Sequence, residues 1–197
     1  LPRCFDSFTI RELKFIHITK TGGTSIEDAF RAHDLDVGRY HTRSDGYFWH
    51  DPVPEHIRDK YTWFTVVRNP YTRIVSEYHC KWGNPTRMDR TIQDFNCVIR
   101  KCIESRKSSR YSGHWSEQSM YVFTGVNVLR FEFLQEDMDR MLLLRPDIGP
   151  ISIPSTNRAV SPSFSVDDLD VTTILEINRV YKDDFARFGY TMKSFVQ

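Results

Sequence analysis

The chain lacks an excess of charge of either sign. Its 27 basic and 26 acidic residues leave a formal net charge of +1, so no global field favours nucleic acid and we expect no nucleic-acid partner. It also lacks internal repeats, low-complexity tracts and any apolar run long enough to cross a bilayer. These absences argue against a repeat array and against a membrane-spanning segment within these residues. No cluster of carboxylates suggests a metal, and none is predicted.

Cysteine is scarce and does not follow a metal-binding pattern. The four cysteines are Cys4, Cys80, Cys97 and Cys102, and none of them forms the C-x-x-C spacing that begins a zinc site. Their even number leaves two interpretations open. They form two disulfides in a lumenal protein, or they are small buried thiols in a reducing compartment.

The length and composition are those of one folded domain. The chain has 197 residues and a mass of 23.3 kDa, with 40% hydrophobic and 14% aromatic residues, which excludes a disordered chain and predicts a single domain over residues 1–197. The chain opens with leucine. We therefore expect a trimmed N-terminus, from which a native membrane anchor could have been removed.

A glycine-containing loop is the most informative segment. The residues Lys20-Thr21-Gly22-Gly23-Thr24-Ser25 follow the apolar run 13–18. Two glycines allow the backbone to close around an anion, the lysine adds a positive charge, and the start of the following helix offers unpaired N–H groups. We therefore predict a P-loop-like phosphate-binding loop, although its lysine precedes the glycines, unlike that of G-x-x-x-x-G-K-[ST]. The alternative is an ordinary strand-turn-helix corner.

A second segment predicts a second anion site. The β-rich run 63–67 ends in Arg68, a proline-containing turn follows, and the next helix carries Arg73 and Ser76. A guanidinium binds phosphate through two parallel hydrogen bonds that lysine cannot reproduce. We therefore predict that Arg68 and Ser76 meet at a phosphate distinct from the first. The alternative is that Arg68 pairs with a carboxylate and Ser76 faces solvent.

The order of the predicted elements indicates an α/β fold. Strands alternate with helices, which predicts a three-layer sandwich with a central parallel sheet and ligands at its carboxyl edge. Strands are predicted at 13–18, 63–67 and 127–131, and helices at 25–32, 71–81, 91–104, 116–123, 135–144 and from about Asp167 to Gly189. Residues 151–164 are predicted to form a loop that could fold over a nucleotide.

The two motifs resemble those of sulfotransferases that use 3′-phosphoadenosine 5′-phosphosulfate (PAPS). Residues 17–25 are similar to the 5′-phosphosulfate loop of that family, and residues 67–76 to its 3′-phosphate motif. The likeness is strongest to Golgi-type carbohydrate sulfotransferases and their bacterial relatives. It runs from about Phe15 to Tyr190, supported by stretches 113–119, 128–137 and 180–190. Thr19 stands where the family usually has proline, and we expect no effect from this difference.

The resemblance implies a role for each motif residue. Lys20 is expected to stabilise the bridging oxygen of the donor during in-line transfer. The loop Thr21, Gly22, Gly23, Thr24 and Ser25 would hold the 5′-phosphate, and Arg68 and Ser76 the 3′-phosphate. Two weaker contacts are also implied. Arg158 could reach the 3′-phosphate, and Trp115 could stack on the adenine, although a tryptophan that packs in the core is an equal alternative.

A base must take the proton of the acceptor hydroxyl. A histidine suits this role near neutral pH, and His41 is the first candidate because Tyr40-His41-Thr42-Arg43 resembles the segment in which relatives carry a histidine. His50 is the second. A carboxylate base, Glu27 or Asp45, is the alternative.

The resemblance implies an enzyme that transfers a sulfuryl group from PAPS, releasing 3′-phosphoadenosine 5′-phosphate (PAP). The expected acceptor is a hydroxyl, on a glycan or a small molecule, and the expected compartment is the Golgi lumen, with the cytoplasm as the alternative. Two other functions remain open. The chain could be a small-molecule kinase, although it lacks an obvious magnesium-binding acidic motif, or a nucleotide-binding module without catalytic activity.

Overall fold

A parallel sheet forms the centre of the fold. The computed structural model describes residues 11–37, 51–83, 91–106, 112–154 and 163–195. Within these residues, the strands β1 (Leu13–Ile16), β2 (Thr62–Val67) and β3 (Asn127–Arg130) lie in the order β1-β2-β3, and both pairings are parallel. The three predicted strands and the α/β class with a parallel sheet are confirmed. β1 ends two residues earlier than predicted, which leaves residues 17–22 to form the loop before the first helix.

Helices follow each strand, as parallel connections require. The helices are α1 (Gly23–Arg31), α2 (Pro70–Tyr78), α3 (Ile92–Ser105), α4 (Ser112–Trp115), α5 (Leu134–Leu142), α6 (Val171–Val180) and α7 (Lys182–Phe188). Short 3-10 helices lie at Glu55–Lys60, Gln118–Tyr121, Phe131–Phe133 and Val166–Asp168. No helix in the described part of the chain is long and apolar enough to cross a membrane.

Two predicted helices are wrong. The segment 116–123 is not one helix, because the backbone amides of Gln118 and Ser119 donate to the Asp184 carboxylate at 2.9 and 2.7 Å. The predicted helix from Asp167 is broken into a 3-10 turn, α6 and α7. Asp170, not Asp167, caps α6, since its carboxylate accepts from the Thr173 amide at 2.7 Å. The predicted stop at Gly189 is confirmed by its left-handed φ of 72°.

Both faces of β2 are buried, so the sheet packs on two sides. Phe64 and Val66 join a cluster with residues of α1 and α5, while Trp63 and Val67 join a second cluster with Tyr121. A third cluster lies among α2, α3, α6 and α7. This packing explains why β2 is a continuous apolar run, and it fixes the two loops that leave the carboxyl ends of β1 and β2.

Candidate functional site

The loop between β1 and α1 has the backbone of a tight turn. Lys20 and Gly22 both have positive φ angles, of 60° and 87°, and the Thr21 hydroxyl donates to the Ile18 carbonyl at 2.8 Å. The Lys20 side chain is half-buried, and its ammonium has no hydrogen bond or ion pair within the described residues. Thr24 is exposed and Ser25 buried. Gly22 provides no side-chain cap for the first amides of α1.

A close steric contact explains why the second residue of the glycine pair, Gly23, has no side chain. A Cβ on Gly23 would lie 2.3 Å from Nε2 of His17, closer than real contacts allow. The His17 ring is held there by its Nδ1, which lies 2.8 Å from Oε1 of the buried Glu27. Glu27, the alternative carboxylate base, is therefore engaged with the residue that supports the loop.

Arg68 joins the two motifs. Its Nη1 donates to the Lys20 carbonyl at 3.2 Å, and its Nε donates to the Thr72 hydroxyl at 3.0 Å. The guanidinium carbon lies 4.3 Å from the centre of the Phe131 ring, and the same ring would contact a Cβ on Gly22 at 3.1 Å. The Phe131 ring therefore lies against both the loop and the arginine. In the described part of the chain, the Arg68 Nη2 donates no hydrogen bond.

The surroundings of Arg68 set both its position and its charge. Gln118, which is fully buried, accepts from the Arg68 amide at 2.9 Å and donates to the Arg68 carbonyl at 2.8 Å. Burial lowers the pKa of the guanidinium, while the nearby Glu132 carboxylate raises it. A guanidinium in this position keeps its charge, since its ordinary pKa is far above neutral. Gln118 was missed from the sequence, although it lies in a stretch that resembles the family.

The prediction that Ser76 and Arg68 meet at one phosphate stays a prediction. Among the described residues, no hydrogen bond joins the two, and Arg68 instead pairs with Thr72, one helical turn before Ser76 on α2. Residues four apart lie on the same helix face, so Ser76 lies on the same face of α2 as Thr72, which accepts from Arg68. The Ser76 side chain is half-buried.

A buried arginine braces the loop from behind. Arg73 is 1% exposed, and its Nε donates to the Thr19 carbonyl at 3.0 Å. It also donates to the carbonyls of Ser116 and His114, at 2.9 and 3.1 Å. This second arginine of the motif is therefore committed to backbone carbonyls and serves the loop structurally.

The expectation that Thr19 has no effect is corrected. Its hydroxyl donates to the buried Glu77 carboxylate and accepts from Arg73 at 3.2 Å. Proline, the usual family residue, has no hydroxyl to make these bonds. The sequence did not predict this link between the loop and α2.

Trp115 has the packing role. Its side chain is 2% exposed, lies in the helical cluster, and donates from Nε1 to the Gly83 carbonyl at 3.0 Å. This burial supports the packing alternative, and the stacking of Trp115 on an adenine stays a prediction. His41, His50, Asp45 and Arg158 lie outside the described residues, so their predicted roles stay predictions.

One side-chain cluster has ligand atoms of the kinds that metals take. In the described part of the chain, Glu77, Cys80 and His114 each place one such atom within 4.8 Å of the others. Both Glu77 oxygens are already engaged, one with Thr19 and the other with His114, and the buried Arg73 lies 3.8 Å away. The His114 imidazole is engaged as well, through its Nδ1 and Glu77, so a metal would have to displace existing contacts of the cluster.

Comparison with known proteins adds a family to this geometry. A model described as the sulfotransferase family matches residues 9–191, which include both motifs, all three strands and the buried cluster behind them. No curated protein and no solved structure matches the chain significantly.

Proposed function

The chain belongs to the sulfotransferase family, and from this premise we propose that it transfers a sulfuryl group from PAPS to a hydroxyl of a carbohydrate acceptor. One observation supports the donor most directly. The guanidinium of Arg68 donates to the backbone of Lys20, so the two motifs that resemble phosphate-binding segments meet at the carboxyl edge of a parallel sheet. Ligands of open α/β sheets bind at that edge.

The 5′ end of the donor fits the loop after β1. The left-handed residues Lys20 and Gly22 turn the backbone towards the start of α1, where amide N–H groups and the helix dipole attract an anion. The Lys20 ammonium, which has no other partner among the described residues, would pair with the charge that develops on the leaving oxygen. The exposed Thr24 hydroxyl adds a further donor.

The 3′-phosphate fits Arg68. Its Nη2 is not used within the described residues, while its other nitrogens are fixed by Lys20 and Thr72. An arginine that is already oriented loses little side-chain entropy on binding. Ser76, on the same face of α2 as Thr72, would supply a hydroxyl to that phosphate. This second anion site is what distinguishes PAPS from a nucleotide without a 3′-phosphate.

Transfer would proceed in line. The acceptor oxygen forms a bond to sulfur as the bond from sulfur to the phosphate oxygen breaks, and PAP leaves. A base removes the acceptor proton, and we propose His41, with His50 as the alternative. Positioning and charge stabilisation would carry most of the rate, as in phosphoryl transfer. On the same resemblance we propose the Golgi lumen as the compartment, with the cytoplasm as the alternative.

Transfer of labelled sulfate from PAPS to a panel of glycans and small hydroxyl compounds tests the proposal. Lys20→Ala should lower kcat by about 100-fold or more, the usual effect of removing a charge-stabilising donor, with a much smaller change in the affinity for PAP. Arg68→Ala should weaken PAP binding by about 10- to 100-fold, as expected for charge-assisted hydrogen bonds. Arg179→Ala is the matched control, because Arg179 is exposed and its one ion pair within the described residues is with Glu176 on its own helix.

Three outcomes would contradict the proposal. Near-normal turnover in Lys20→Ala would remove the role assigned to Lys20. Transfer of the γ-phosphate of ATP instead of sulfate would make the chain a kinase. Tight PAP binding without transfer to any acceptor or to water would indicate a binding module.

A further inference from the structure

The cluster of Glu77, Cys80 and His114 lies behind the proposed donor loop and is assigned no step of the proposed sulfuryl transfer. Glu77 belongs to α2, Cys80 follows the end of that helix, and His114 belongs to α4. Cys80 is half-buried, whereas Glu77 is fully buried. Their carboxylate, thiol and imidazole each place an atom within 4.8 Å of the others, and we call these three residues the Cys80 triad.

Glu77 orients the imidazole. Its Oε2 lies 2.8 Å from Nδ1 of His114, while its Oε1 accepts from the Thr19 hydroxyl. Arg73, whose Nη2 lies 3.8 Å from Oε1, supplies the positive charge that pairs with the Glu77 carboxylate. A carboxylate that holds an imidazole beside a nucleophile is the arrangement by which proteins activate thiols and hydroxyls.

The Cys80 sulfur lies among groups that favour an anion. Burial raises the pKa of the thiol, but a hydrogen bond with His114, hydrogen bonds from the Gly83 and Trp82 backbones and the charge of Lys20 outweigh it and lower that pKa to about 7. Burial lowers the pKa of His114, but its hydrogen bonds to Cys80 and Glu77 raise it to about 9. Thiolate and imidazolium therefore coexist between these two values.

We propose that Cys80 is a nucleophilic modification site that reacts with hydrogen peroxide and small hydroperoxides. The Cys80 thiolate attacks one peroxide oxygen, forming an S–O bond as the O–O bond breaks. The departing hydroxide takes a proton from the His114 imidazolium and becomes water. Sulfur is oxidised by two electrons to a sulfenic acid, and the peroxide is reduced by the same two. A low-pKa, partly accessible thiol is the kind that enters this oxidation.

A bound metal is the competing explanation for the same three residues. To bind a metal, the imidazole would have to leave its hydrogen bond with Glu77, or the carboxylate would have to leave its hydrogen bond with Thr19. The positive charge of the nearby Arg73 would also repel the metal ion. The hydrogen bonds of the triad need no such change.

The pH dependence of alkylation in the unmodified protein tests the proposal without any substitution. Iodoacetamide labelling of the folded protein, followed peptide by peptide by mass spectrometry, should give a midpoint near pH 7 for Cys80, at least one pH unit below an ordinary thiol. Cys97 and Cys102 of the same chain are internal references. A Cys80 midpoint above pH 8 would overturn the proposal.

Peroxide and a substitution give the second test. With limiting hydrogen peroxide and dimedone, the sulfenic acid adduct should form on the Cys80 peptide in large excess over the Cys97 and Cys102 peptides. His114→Gln, checked for folding by its melting curve, should raise the Cys80 midpoint by at least one pH unit and slow adduct formation. An adduct spread evenly over the cysteines would refute the proposal. Bound zinc would also refute it. In that case the purified protein would contain one equivalent of zinc, Cys80→Ser would lose this zinc, and Cys80 would be labelled only after the zinc is chelated.

Discussion

Replacing Gly23 by alanine should destabilise the protein by about 1–5 kcal/mol, although alanine is the better helix former. The added Cβ would lie 2.3, 2.4 and 2.6 Å from three atoms of the His17 ring. Ordinary contact begins near 3.4 Å, so the ring has to retreat by about 1 Å through packed surroundings. Overpacking of this kind costs about 1–3 kcal/mol.

The ring cannot retreat without a second loss. His17 is held by the 2.8 Å contact with Glu27, and both side chains are only 9% exposed. Breaking this contact leaves a buried carboxylate with one partner fewer, at a cost of about 1–3 kcal/mol. The better helix propensity of alanine recovers about 0.5–1 kcal/mol of the total.

A double-mutant cycle isolates the steric argument. Urea unfolding followed by circular dichroism gives the free energy of unfolding for Gly23→Ala, His17→Ala and the double variant. Without the ring, the Gly23 substitution should cost almost nothing, so the coupling should exceed about 1.5 kcal/mol. Gly125→Ala is the control for backbone strain alone. Gly125 has a φ of 92°, and a Cβ added there would meet no atom of the described residues within 4 Å. An equal cost of Gly23→Ala in both backgrounds would refute the reasoning.

Three further predictions concern other parts of the chain. Gln118→Ala removes both hydrogen bonds to the backbone of Arg68, and PAP affinity measured by calorimetry should fall about 10-fold; unchanged affinity would show that Gln118 does not position the arginine. His41→Ala should reduce turnover while PAP affinity stays nearly the same, and an equal loss in His50→Ala with an active His41→Ala would reassign the base. Hydrogen bonds from Arg130 hold the pKa of Asp137 below its ordinary value, so the stability they provide is present at neutral pH and lost as the pH falls through that lowered value. Asp137→Asn should therefore flatten the decline of the unfolding free energy below about pH 4; an unchanged acid limb would contradict this.

The sequence alone predicted the features that depend on a short stretch of neighbouring residues. The apolar run before Lys20 and the run before Arg68 predicted β1 and β2, because parallel strands buried on both faces are continuously apolar. The placement of both loops at one edge of the sheet followed from the same step, since the carboxyl ends of parallel strands share that edge, but the bond from Arg68 to the Lys20 carbonyl was not predicted. Gly189 ended a helix, as its residue type favours.

The sequence was insufficient where the partner is distant. Arg73 is a buried residue that bonds to Thr19, 54 positions earlier, yet an arginine on a helix is ordinarily exposed. The Asp184 carboxylate that breaks the predicted helix at 116–123 lies 65 and 66 positions from the amides it binds. No local pattern encodes such pairings, and the Cys80 triad, with 37 positions between Glu77 and His114, is of the same kind.

The most direct test of the proposed function is a calorimetric comparison of PAP with adenosine 5′-monophosphate, which differs only by the 3′-phosphate. The account predicts that PAP binds at least about 10-fold more tightly, that Arg68→Lys loses most of this difference because lysine cannot form the two-pronged contact, and that PAP raises the melting temperature accordingly. Equal affinities for the two nucleotides, or no binding of either, would contradict it.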